Sequence, residues 1–275
     1  MSVRISSLLT LLGLVFTASV FAQSTLLDPF PAEQLGAANI SATPQGSVWD
    51  LFRNPAGVGN MDSPEIGINY LLPFGEPTLS QFSVAGLMPM GSQQTLGIIG
   101  TWTGVEDFRT WGLGGNYSIE LGDSWWIGAQ LVLYDLNISG LGGDWVGSGN
   151  AGLQWQAMEK IRLGAFLMRV TSPTWGTEFD AEPLPTRSGI GITLSPSPQI
   201  DVSLEWEATQ AQHHVRVSSQ IELSEWVMIQ GGIQTDPLSL HVGMGVSLSK
   251  IRWNLAGQYF QELGLTSATS LTHSW

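Results

Sequence analysis

Two acids and two bases recur at a spacing that chemistry could use. Glu205 and Glu207 lie two residues apart, and so do His214 and Arg216 a few positions on. In an extended chain residues i and i+2 share a face. If the two runs are the arms of a hairpin, the apolar register sets Glu205 opposite Arg216 and Glu207 near His214. Each such cross-strand pair stabilises by roughly 0.2–1 kcal/mol when wet. The pairs would form either a polar track for a solute or a packed network that fills an interior. Paired acids can also share a proton, but no nucleophile motif or pocket signature accompanies these two. His213, His214, His241 and His273 fall on different strands or opposite faces, without metal-ligand spacing. The chain therefore reads as a non-enzyme, with no metal and no cofactor.

The elements that must carry these charges are strands. Ile200, Val202, Leu204, Trp206 and Ala208 alternate with Asp201, Ser203, Glu205 and Glu207, and the same period of two returns throughout 199–275. Strands of about ten residues with one apolar and one polar face, joined by turns, are the signature of a transmembrane antiparallel β-barrel. About fourteen candidates fit between positions 64 and 275. Links after even strands are tight, as at 157–159, 195–198 and 249–250, whereas links after odd strands include the two longest, 135–146 and 171–186. That division is expected if both termini are periplasmic and the longer loops face outward.

Composition agrees with a wall that faces lipid. Among 275 residues only 12% are charged, 12 are tryptophan, none is cysteine, and the net charge is -13. Charges avoid such a wall while aromatics gather at its rims, and Trp102, Trp111, Trp125, Trp126, Trp155, Trp206, Trp226 and Trp253 fall near strand ends or turns. An acidic chain without a basic stripe excludes nucleic acid as the partner. Residues 1–22 read as a signal peptide, with Arg4, an apolar run and a small-residue cleavage site at Ala22. The expected domains are thus 1–22, an N-terminal segment 23–63, and the barrel 64–275, in the bacterial outer membrane.

The N-terminal segment does not alternate. It contains Gly36-Ala37-Ala38, a short helical candidate at 47–52 that includes Asp50, and then Asn54-Pro55-Ala56-Gly57, followed by Val58. By propensity Asn54 to Gly57 is a turn. These residues, ahead of a barrel, resemble the FadL-type outer-membrane superfamily, including its PorV/PorQ branch associated with type IX secretion; Val58 stands where the family usually has leucine. The resemblance implies fourteen strands with the N-terminal segment inside as a hatch. It implies two functions. One is a non-enzymatic accessory barrel whose partners are a secretion translocon or secreted cargo, favoured here by the small size and the lack of long apolar outer loops. The other is a transporter of hydrophobic small molecules.

Four local expectations remain. The loop bearing Trp175, Glu178, Phe179 and Asp180 is a candidate partner contact. Arg169 is expected to face outward and snorkel to lipid headgroups. Gly112, Gly114, Gly243 and Gly245 suggest close approach of the hatch to the wall. Trp275, an aromatic closing an alternating strand, reads as the signal to the barrel-assembly machinery.

Overall fold

The computed structural model describes residues 28–275 except 106–107, 140–141, 172–173, 176–181 and 210–211; the signal-peptide reading lies outside them. The strands are β1 Glu65–Leu72, β2 Gln81–Pro89, β3 Gln94–Val105, β4 Phe108–Leu121, β5 Trp125–Ile138, β6 Gly142–Met158 and β7 Ile161–Met168. They continue as β8 Arg187–Ser197, β9 Ile200–Thr209, β10 His213–Ser224, β11 Val227–Gln234, β12 Ser239–Leu248, β13 Ile251–Phe260 and β14 Gly264–Ser274. Each pairs antiparallel with its neighbours in sequence, and β1 pairs with β14 from Glu65↔Ser274 to Leu72↔Ser267, which closes the barrel without a free edge.

The alternation in sequence becomes an inside and an outside. Ile98, Leu131, Ile190, Leu240 and Val242 are exposed on the outer wall, while Asn69, Ser83, Asn116, Gln154 and Asn254 are buried on the inner one. A soluble protein has the opposite arrangement; apolar outside and polar inside suits a wall in lipid. No helix among the described residues is long and apolar enough to cross a membrane. Trp111 of β4 meets Trp145 of β6 edge-on at 4.5 Å across β5, and Trp125 of β5 stacks on Trp155 of the neighbouring β6 at 4.9 Å, near opposite rims. Trp126 is the exception to the expected girdle, being buried on the inner face.

Glu65 and Trp275 mark one end of the barrel, hereafter the terminus end, where the strand-to-strand links are short. The opposite, loop end carries the long connection between β7 and β8, within which Thr174–Trp175 pairs with Glu182–Pro183. The expected long loop 135–146 is not found: β5 and β6 remain paired to Ile138↔Gly142. Asp135, Asn137, Gly143 and Asp144 hide that extension from a hydropathy reading, because ladder pairing beyond the apolar band needs no apolar side chain.

Residues 28–63 pack against the inner wall. They form helix α1 Ala32–Gly36 and two 3-10 turns, Val48–Phe52 and Pro55–Val58. The first turn has a complete capping box, in which the Ser47 side chain accepts from the backbone and Asp50 Oδ2 accepts from Ser47 N at 3.0 Å.

Candidate functional site

Asn54 ties the N-terminal segment together and to the wall. Its Oδ1 accepts from Ala56 N at 3.0 Å, capping the turn, while its Nδ2 donates to Ala42 O at 2.7 Å and Ala165 O at 3.2 Å. Pro55 contributes its carbonyl, which accepts from the Ser118 hydroxyl. Pro55 fixes the first helical position, and the wall opposite is Gly128 and Gly152, where a Cβ would strike Pro55 and Asn54. Further along, the Trp49 indole donates to Thr272 Oγ1 at 2.9 Å, and Gln130 Nε2 donates to Leu51 O at 2.8 Å.

On the β7–β10 side the segment meets a buried ion network. Glu205 stands opposite Arg216 in the β9–β10 ladder and accepts from its Nη1 at 2.9 Å. The other oxygen of Glu205 accepts from the backbone N–H groups of Ser41 and Ala42, both at 2.6 Å. Arg216 also reaches Glu207 at 2.5 Å, Glu207 accepts from Arg187 at 2.8 Å, and Arg187 continues to Asp28 at 2.9 Å. Asp28 is then held by Arg169 at 2.7 Å. Charge-assisted contacts of this geometry satisfy charges that would otherwise be costly to bury. Burial would raise the Asp28 carboxyl above its ordinary range, but Arg169 and Arg187 outweigh it and hold the group below. At Asp50 the balance is reversed: burial and nearby Glu33 push it well above the usual carboxylate range, and Arg162 does not offset them.

On the β2–β6 side apolar packing joins the Ser118 and Gln130 hydrogen bonds. Phe52, Ile99, Val132, Tyr134, Val146 and Leu184 form one buried cluster toward the loop end. Within this region lies a cavity of about 20 Å³ whose walls are mostly the apolar Phe52, Ile99, Val132 and Met168, with the polar Asp28, Thr101, Gln130 and Asn150 among them. A larger, polar vestibule of about 330 Å³ separates the segment from β8–β13 and reaches the terminus end at Glu225 and Trp226. The lumen thus has an apolar chamber on one side and a polar cleft on the other.

The sequence-singled residues are dispersed between these features. Glu205, Glu207 and Arg216 join the ion network. His214 is the register partner of Glu207, but its Nδ1 contacts Thr235 O at 3.3 Å and Glu207 takes its bonds from arginines. Arg169 is corrected from outward to inward: β7 ends at Met168, and Arg169 takes a φ of 58° that turns its side chain into the lumen, where it is 2% exposed. Of the four glycines expected against the segment, Gly243 meets it, at Gly36; Gly112, Gly114 and Gly245 face wall side chains. Glu178, Phe179 and Asp180 lie outside the described residues, and Trp175 is placed by its backbone pairing alone. Trp275 is exposed at the terminus end, its N–H donating to Pro64 O at 3.2 Å and its ring edge-on to His273.

Sequence reasoning missed Asp28, Arg53 and Arg187. Arg187 was within reach, since inward parity on β8 points it toward Glu207. Asp28 gave no signal. Arg53 donates to Gln34 Oε1, Pro29 O and Asn39 Oδ1 and lies 4.4 Å from the Phe30 ring, cross-tying the segment to itself.

No protein-family model matches the sequence, and no curated protein does. Solved structures resemble the fold. CymD, a monoaromatic hydrocarbon channel, matches at 15% identity with a TM-score of 0.70, over 91% of this chain and 98% of that one. The toluene transporter TbuX of Ralstonia pickettii matches at 13% and 0.65, over 90% and 99%. A FadL homologue of Pseudomonas aeruginosa matches at 10% and 0.66, over 89% and 98%. At such identities the likeness carries the architecture: the chain has the closed fourteen-strand barrel fold of these proteins.

Proposed function

We propose that the chain is a bacterial outer-membrane channel for small hydrophobic molecules, with its loop end outside, its termini toward the periplasm and residues 28–63 acting as a hatch. The observation that carries this reading is the apolar cluster around Phe52 on the inner wall, beside a small cavity. Phe52 of the segment, Ile99 and Val132 line the cavity, and Val146 packs in the same cluster. A lumen built only for polar solutes has no use for such a patch, and ligand sites are mostly apolar with a few polar groups for orientation.

The fold shared with CymD and TbuX, which their descriptions call a hydrocarbon channel and a toluene transporter, supports the same reading. An accessory role in type IX secretion has no comparable observation behind it. A cavity of about 20 Å³ holds no more than about one water, so passage of a hydrocarbon requires the segment to shift. Uptake of radiolabelled toluene by a strain expressing the chain tests the proposal. Accumulation above a vector control supports a channel, and equal accumulation removes it.

A further inference from the structure

We infer that the barrel holds a second, aqueous route on the β8–β13 side, closed by the Glu205–Arg216–Glu207 rungs, and that its opening passes small hydrated cations. The inward residues of the β9–β10 ladder, taken from the terminus end, are Asp201↔Gln220, Ser203↔Ser218, Glu205↔Arg216 and Glu207↔His214. The first two rungs line the polar vestibule of about 330 Å³, which is large enough to hold several waters. The vestibule stops at the third rung. There Glu205 bridges Arg216 to the backbone N–H groups of Ser41 and Ala42, so one carboxylate joins the wall to the N-terminal segment across the lumen.

Above this point the fourth rung is sealed by Arg187 and Arg216 on Glu207. The barrier between the vestibule and the loop end is therefore two rungs of paired charge rather than an apolar plug. Paired charges are strong when dry and weaken once water reaches them. Water entering from below finds hydroxyls and amides up to the seal itself. In the vestibule Glu33, Asp201, Glu222 and Glu225 face Arg162 and Arg252, an acidic excess that favours cations over anions in a wet passage.

Planar-bilayer recording of the purified full-length barrel in a KCl gradient tests this. The wild type should be quiet, whereas Glu205→Ala should open at least about ten-fold more often, with a reversal potential on the cation side. Arg216→Gln, which removes the ion pairs of both rungs while leaving the Ser41 and Ala42 contacts of Glu205 in place, should also raise opening and serves if Glu205→Ala does not assemble. The chain has no cysteine, and a Cβ at Gly191 would lie 3.0 Å from that of Ala42, so the two backbones need part by only about 0.5 Å to reach the span of a disulfide, roughly 3.5–4.5 Å. Adding Ala42→Cys and Gly191→Cys should silence the open variant until a reductant is supplied. Assembled variants that conduct no more than wild type, that select anions, or that stay open with the bridge formed would overturn the inference.

Discussion

Arg169 and Asp28, 141 positions apart in sequence, form a two-point ion pair in the lumen, with Nη1 to Oδ1 at 2.7 Å and Nη2 to Oδ2 at 3.2 Å. The same Arg169 donates from Nε to Pro185 O, and its carbonyl accepts from Thr186 Oγ1 at 2.9 Å. One residue thus fastens both ends of the long β7–β8 connection to the N-terminal segment. Breaking a buried pair by removing one partner costs about 3–5 kcal/mol. Asp28→Ala should loosen the start of the segment while leaving the wall assembled. Hydrogen exchange at Ala32 to Ala42 checks this: faster exchange there with unchanged exchange in β3–β6 is expected.

The same pair sets a dependence on acidity. The Asp28 carboxyl lies below its ordinary value of 3.8 in the folded chain, because Arg169 and Arg187 outweigh its burial. Its contribution is therefore fully present above that value and is lost as pH falls through the lower, folded one. The Asp28 contribution should be level from pH 5 to 8 and fall only in acid below about pH 4, on top of the opposite slope that the raised Asp50 carboxyl gives to wild type and variant alike. In Asp28→Asn that acid-dependent step should disappear, which hydrogen exchange corrected for intrinsic rates would reveal.

Gly128 and Gly152 are where the wall makes room for the Asn54–Pro55 turn. Overfilling a packed site usually costs about 1–3 kcal/mol, occasionally more. Here the obstruction is the turn backbone and the Asn54 side chain, so Gly128→Val should prevent docking of the turn. Labelling of a cysteine placed at Ala56 should rise sharply in Gly128→Val. It should remain slow in Gly115→Val, where a Cβ meets open space on the outer face.

Trp275 donates its backbone N–H to Pro64 O beside the β1–β14 closure. Its ring is exposed, which gives it little to do for lumen chemistry. Deleting Trp275 should lower the amount of heat-modifiable barrel in outer-membrane fractions more than it lowers activity per assembled barrel. Normal assembly would remove its role as a targeting signal.

Much of the wall was legible because the two faces of each strand meet different solvents, so alternation in β9–β14 records the barrel directly. The opposition of Glu205 and Arg216 followed from that alternation, since a shift by one residue would turn every apolar side chain inward. What stayed hidden lacks a period. Residues 28–63 are placed by single contacts, such as Asn54 to Ala165 and Asp28 to Arg169, that no spacing announces. Arg169 also reverses the face that strand parity assigns, through one left-handed backbone angle. The apolar chamber was hidden for another reason: Ile99, Val132 and Val146 occupy inward positions on separate strands, and only strand pairing together with the docked segment brings them to Phe52.

The account rests on that chamber being the path of a hydrophobic solute. Ile99→Asn keeps the number of side-chain heavy atoms and makes the chamber wall polar. Initial rates of radiolabelled toluene uptake should therefore be compared for wild type, Ile99→Asn and a vector control, at equal levels of heat-modifiable barrel. The account predicts wild-type uptake well above vector and a loss of at least about five-fold in Ile99→Asn, equivalent to roughly 1 kcal/mol. Equal uptake by wild type and the variant, or by wild type and vector, would contradict it.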